Sequence, residues 1–318
     1  MGEFTSQHIP KIEQTAARPI TTVDSSGWSS KIASGTKHLS PEHTEQGRAI
    51  LNKWQTSFPT EATWVQENVG TPSLITRLDA TIKDGDLVPY EVEERPSGIG
   101  LSYEISRTFQ DRLERVRTTW PDFKVVISDD PRRKGIDDSK WATITGPDTT
   151  GLVLVRAEPE EEAYHHLEGQ SVSSLHKKGN KSYGVEMGLW EEVGDPEELD
   201  WEDPFVMKPL SGSKTRDVFV WIPKPQYKEY TPPGSKSPKG VHTRTKITNA
   251  LSENGSMYVQ PFHKPIETGD PDHAYEIYRV YYGYDIKEGE WTYLGGVSNA
   301  RNSLIIHGAS DTLFQTIE

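Results

Sequence analysis

The chain contains no cysteine, so it can build neither a disulfide framework, nor a thiolate zinc site, nor a cysteine nucleophile. It has no unbroken apolar run near the ~20 residues of a membrane span. Its opening residues, Met-Gly-Glu-Phe-Thr-Ser-Gln-His-Ile-Pro, also lack the apolar stretch of a signal peptide. The expectation is a soluble, cytoplasmic protein without a membrane partner. Basic residues are outnumbered, 35 Lys and Arg against 48 Asp and Glu, and the net charge of -13 repels a polyanion. That argues against nucleic acid as a partner and leaves room for a small anion at a local basic site. His-Glu-x-x-His, Gly-x-Ser-x-Gly and the glycine fingerprint of dinucleotide sites are all missing.

What is present is a folded, polar-surfaced chain. Hydrophobic residues are only 33% of the 318, but nine Trp and thirteen Tyr supply the bulk that scarce aliphatics do not. The length allows one large domain or two ordinary ones. Residues 1–45 read as an N-terminal arm, rich in Ser, Thr and Gly and weak in periodicity. Ser40-Pro41-Glu42 is a helix start, with the helix running to Trp54. Tyr103, Ile105, Phe109, Leu113 and Val116 recur at helical spacing and predict one amphipathic helix over 102–117. The apolar runs 124–128 and 151–155 suit buried strands of an α/β subdomain spanning 120–200. Strands are predicted at 205–210, 218–222, 257–261 and 275–284, with a long exposed loop from Pro223 to Thr245. His165-His166 and the acidic run Glu158 to Glu162 read as surface.

The densest chemistry lies in Arg77-Leu-Asp-Ala-Thr-Ile82 and Val88-Pro-Tyr-Glu-Val-Glu93, where apolar and polar residues mostly alternate around a turn signal. A two-residue turn at Asp84-Gly85 would mix the faces. A three-residue loop, Asp84-Gly85-Asp86, pairs 77 with 93, 79 with 91, 80 with 90 and 82 with 88. Leu78, Ala80, Ile82, Val88, Tyr90 and Val92 then share one face, and Arg77, Asp79, Glu91 and Glu93 the other. Opposed carboxylates such as Asp79 and Glu91 are destabilising unless something positive lies between them. Two readings stand: a divalent-metal and phosphate site, or a solvated face with cross-strand salt bridges.

Two further segments carry charge or free backbone. Lys208 sits within an apolar strand, followed by a loop with Ser211, Gly212, Ser213, Lys214 and Arg216 that could cover phosphates; by itself it equally fits a basic hairpin. Tyr258-Val259-Gln260 leads into Pro261, so the strand stops with backbone groups that an adenine edge could use, or that nothing uses.

The order of these pieces resembles the circularly permuted ATP-grasp ligases, in particular the synthetase domain of glutathionylspermidine synthase. The matched residues are Arg77-Leu-Asp79, Glu91-Val-Glu93, Lys208-Pro209-Leu-Ser-Gly212, Tyr258-Val-Gln260 and Ser303-Leu-Ile-Ile306, with the twelve-residue spacing from Asp79 to Glu91 kept. The resemblance implies an α+β fold over 46–318, with nucleotide held between antiparallel sheets and a central α/β substrate subdomain. It implies ATP and two magnesium ions, the metal on Asp79, Glu91 and Glu93. Arg77, Arg279 and Arg301 would act at the reacting carboxylate and its phosphate. Lys181, Lys208 and the 211–214 loop would hold ATP phosphates, and 258–260 the adenine. The implied reaction joins a small-molecule or peptide carboxylate to an amine through an acyl phosphate. A nucleotide-binding protein without turnover, or a kinase of a small carboxylate, are the alternatives. Three departures from the pattern are Glu93 for Asn, a single glycine after Lys208, and Asn299 where an arginine is usual. Oligomeric state is not legible.

Overall fold

The computed structural model describes residues 19–25, 28–56, 74–93, 96, 98–120, 123–127, 152–156, 171–172, 183–210, 218–306 and 312–318, with backbone alone for 19–30 and 123–172. In chain order the elements are β1 (Pro19–Ser25), β2 (Trp28–Lys37), α1 (Pro41–Thr56), β3 (Ile75–Lys83), β4 (Asp86–Glu93), α2 (Ile99–Ile105) and α3 (Arg107–Arg117). Then come β5 (Phe123–Ile127), β6 (Leu152–Arg156), β7 (Ser171–Val172), α4 (Tyr183–Glu186), β8 (Glu191–Val193), β9 (Phe205–Pro209) and β10 (Phe219–Trp221). The remainder is α5 (Arg244–Asn254), β11 (Met257–Pro261), β12 (Ile266–Glu267), β13 (Tyr275–Asp285), β14 (Glu290–Arg301) and β15 (Leu313–Ile317).

These form three sheets and a mixed α/β architecture. An eight-stranded sheet runs β1-β2-β15-β14-β13-β3-β4, with β12 beside β13. A four-stranded antiparallel sheet runs β10-β9-β11-β8, and β5-β6-β7 is parallel. The long β13–β14 hairpin follows from its Tyr, Ile and Val content, the residue types that fit a pleated surface. Its two faces are both covered. Val280 and Tyr282, with Leu78 and Ala80 of β3, pack on Leu51 and Trp54 of α1. Tyr281, with Ile75, packs on Ile99, Phe109, Leu113 and Val116 of α2 and α3. Small-sheet residues Met207, Phe219 and Met257 bury Ile247, Ala250 and Leu251 of α5. The two sheets meet through Val206, Val220 and Ile222 against Tyr275, Ile277, Leu304 and Ile306.

Within the span read as an arm, β2 pairs in parallel with β15, and α1 begins at Pro41, where the helix start is predicted. Several expectations are corrected. The single helix over 102–117 is two. Ser106 is extended, and its hydroxyl accepts from Phe109 N at 3.1 Å, so it ends α2 and caps α3. The expected loop 223–245 holds a 3-10 helix, Lys224–Tyr230, and the first two residues of α5. Residues 303–306, matched in the resemblance, lie outside any strand. β14 ends at Arg301, and the segment is pinned by Leu304 N donating to Lys239 O at 3.0 Å and by burial of Leu304 and Ile306. No described helix is long and apolar enough to cross a membrane.

Candidate functional site

The hairpin reaches its register by a different route from the one expected. Asp84 and Gly85 both take positive φ, 53° and 92°, so the turn has two residues and Lys83 pairs with Asp86. Two consecutive positive φ values give a turn whose twist matches that of the strands. Ladder pairs continue as 82 with 87, 81 with 88 and 80 with 89, then jump to 79 with 91 and 77 with 93. Tyr90 is the extra residue of a bulge. The predicted pairs at the acidic end therefore stand, and the predicted 80–90 and 82–88 pairs do not. β4 is an edge strand, where a bulge and Pro89 are tolerated. Leu87 takes the core place expected of Val88, and Tyr90 turns toward the second sheet, donating its hydroxyl to His263 O at 2.8 Å.

Arg77, only 3% exposed, is the centre of the resulting cluster. Its Nε donates to Asp79 Oδ1 at 2.5 Å, its Nη2 donates to Asp79 Oδ2 at 3.1 Å, and the same Nη2 is ion-paired with Glu93. Arg279 stands beside Asp79 in the β13–β3 ladder, its Nε 3.4 Å from Oδ2. Asn299, fully buried on β14, completes the group. With its amide oxygen assigned toward β13, it accepts from Arg279 Nη1 at 3.1 Å and Nε at 3.2 Å. Burial opposes the charge of Arg77, but Asp79 and Glu93 outweigh it and hold the guanidinium well above its usual range. Arg279 is lowered, by burial and then by Arg77. Loss of solvent pushes the Glu93 carboxyl up; Arg77 opposes this, while Asp79 and Glu91 add to it.

Across from this cluster, β9 and β11 present Lys208, Tyr258 and Gln260 on the face turned to the hairpin. Lys208, 6% exposed, donates to Gln260 Oε1 at 2.9 Å and to Tyr90 O at 2.8 Å, the carbonyl of the bulge residue. Its ammonium lies 5.0 Å from the Trp190 ring centroid. Tyr258 packs on the same Trp190, at 6.0 Å between centroids. Val259 pairs with Met207 and packs with the cluster under α5, so its side chain takes the opposite face. Tyr183 closes the outer edge of β4: its hydroxyl accepts from Val92 N at 3.1 Å and donates to Val92 O at 2.9 Å.

Of the residues expected to act, Arg77, Asp79, Glu93 and Arg279 are joined by ion pairs, and Glu91 faces Asp79 in the ladder. Lys208 and Gln260 are bonded to each other. Arg301 sits at the end of β14 with Nη1 3.5 Å from Ile305 O. Lys181, Ser211, Gly212, Ser213 and Lys214 lie outside the described residues. Sequence reasoning missed Asn299 as the partner of Arg279, and it missed Trp190 and Tyr183. A tryptophan beside the acidic run that follows it, in Gly188-Leu189-Trp190-Glu191-Glu192, is the signal that could have flagged Trp190.

The carboxylates are donors of the type magnesium takes. As arranged they do not fit it: both Asp79 oxygens are on guanidinium, and Glu93 is paired with Arg77. Among the described residues no three His, Asp or Glu side chains are grouped to hold a metal ion.

No family model matches the chain, and no curated protein matches it. Solved structures similar to it include the following two. One is described as "Putative gamma-glutamylcysteine synthetase", from Methylobacillus flagellatus KT, with 11% identity, coverage of 85% of this chain and 81% of that one, and a TM-score of 0.42. The other is a glutathione synthetase-like effector, GSS30, from Globodera pallida in apo form, with 9% identity, 88% coverage of each chain and a TM-score of 0.35. The reading of the site rests on its own residues.

Proposed function

We propose that this chain is an ATP-dependent ligase that joins a small-molecule or peptide carboxylate to an amine through an acyl phosphate. The observation that carries the reading is the facing of two basic centres across two sheets: Lys208 with Gln260 on the small sheet, and Arg77 with Arg279 on the large one, bridged by the Lys208 bond to Tyr90 O. A nucleotide between them would set its phosphates against Lys208 and its adenine against Tyr258 and Gln260. The carboxylate oxygen attacks the terminal phosphorus and ADP leaves. The amine nitrogen then attacks the acyl carbon, phosphate leaves, and the nitrogen loses its proton. No covalent enzyme nucleophile is needed. Catalysis by this chain's residues is positioning plus neutralisation of phosphate charge by guanidinium and ammonium. Lys181, the 211–214 loop and Arg301 belong to the proposal as further phosphate contacts. Magnesium, expected by resemblance on Asp79, Glu91 and Glu93, is assigned no step.

A second reading, a nucleotide-binding protein without turnover, is favoured by one observation: guanidinium holds the carboxylates that a metal would need. ADP release in the presence of carboxylate and amine pools, followed by mass analysis of products, separates the readings. Amine-dependent turnover supports the ligase, amine-independent phosphorylation a kinase, and nucleotide binding alone the second reading. Unchanged nucleotide binding and turnover in Lys208→Ala would remove the site assignment.

A further inference from the structure

The carboxylates of the hairpin pose a charge problem that the fold has already answered. Asp79 and Glu91 face each other in the β3–β4 ladder, and Glu93 follows two residues on along the same face. Like charges so placed are destabilising unless a cation lies among them. Arg77 is that cation. It rises from β3 on the same face, bonds Asp79 through two nitrogens and pairs with Glu93 across the ladder. Arg279 adds a second guanidinium from β13 on Asp79 Oδ2, and Asn299 holds it there with its amide oxygen. Asp79 is 7% exposed and Arg77 3%, so neither is exchanging partners freely with bulk water. The Asp79 oxygens that a divalent ion would need are both taken by guanidinium.

We infer that Arg77, seconded by Arg279, is a built-in substitute for a divalent cation at this hairpin: while Arg77 stands, Asp79, Glu91 and Glu93 are not grouped as a metal ion needs and do not bind one, and its removal lets them converge on an ion. The side-chain chemistry supports permanence. A guanidinium keeps its charge throughout the accessible pH range, and its planar fork matches a carboxylate through two parallel bonds, which an ammonium cannot do. Arg77 is also strongly favoured in its charged form by Asp79 and Glu93. The inference goes beyond the ligase reading and does not need it, since it involves neither nucleotide nor substrate.

The test is a titration of the full chain with Mn2+ alone, without nucleotide, followed by electron paramagnetic resonance of the free ion. Wild type should show no site tighter than ~1 mM, Arg77→Met should gain one site at least roughly tenfold tighter, and Arg77→Met with Asp79→Asn should lose it. A wild-type site that is tighter than ~1 mM and disappears in Asp79→Asn would overturn the inference. So would a folded Arg77→Met that gains no site. Should Arg77→Met fail to fold, Arg77→Lys takes its place: a single ammonium cannot bridge both carboxylates, so a smaller gain is expected, and no gain counts against the inference. Because the titration contains neither ATP nor substrate, its outcome is separate from that of the ADP-release experiment.

Discussion

Two basic centres face one another across this molecule, and they are held by opposite kinds of partner. Arg77 is bonded to carboxylates, Asp79 and Glu93. Lys208 donates to neutral oxygens, Tyr90 O and Gln260 Oε1. A buried guanidinium between anions is fixed by charge, and removing it strands those anions at high cost. An ammonium on carbonyls can exchange one of them for a phosphate oxygen and gain, because a charged acceptor makes the stronger bond. The large sheet supplies a rigid charge cluster, and the small sheet supplies an ammonium that can exchange a carbonyl partner for a phosphate.

The sharpest way to break that contrast is Arg77→Met. It should cost ~3–5 kcal/mol of unfolding free energy by denaturant titration, and Asp79→Asn in the same background should return part of the loss, since the two are coupled. Lys208→Met should cost less, ~1.5–3 kcal/mol, while lowering ATP affinity roughly tenfold or more in equilibrium binding. Equal stability losses for the two variants would end the distinction. Asn299→Leu should cost ~1–2 kcal/mol, because it leaves Arg279 nitrogens without their acceptor, whereas Asn299→Asp should hold Arg279 and cost little.

The smallest effect is a pH slope. Glu93 is raised above its ordinary 4.5, mainly through loss of solvent, so the folded chain binds its proton more tightly than the unfolded chain does. Its contribution to stability is full below that ordinary value and is lost as pH rises through the folded value. Thermal melting from pH 4 upward should show this decline, and Glu93→Gln should flatten it. A slope that rises instead would mean that Arg77 dominates Glu93.

Much of this site was readable from residue spacing. The alternation of residues 77–82 and 88–93 placed Arg77 opposite Glu93 and Asp79 opposite Glu91. The turn was misjudged because a three-residue loop and a two-residue turn with a bulge shift the acidic end by the same single residue; pattern alone cannot tell them apart. Lys208 and Gln260 were legible as separate strand residues, but their bond was not, since it depends on β9 and β11 being neighbours. Asn299 was noticed only as a departure from an expected arginine. Its role rests on the diagonal placement of β14 beside β13, which no local pattern encodes. The break at Ser106 was hidden because the apolar spacing continues across it while a single hydroxyl redirects the chain.

The bulge at Tyr90 has a mechanical consequence. One inserted residue fastens the sheets at two points, its carbonyl to Lys208 and its hydroxyl to the His263 backbone. The ammonium proposed to receive phosphate is thus also half of a clasp. A Lys208 turned from Tyr90 O to a phosphate would leave the sheets joined at this residue through the Tyr90 hydroxyl alone.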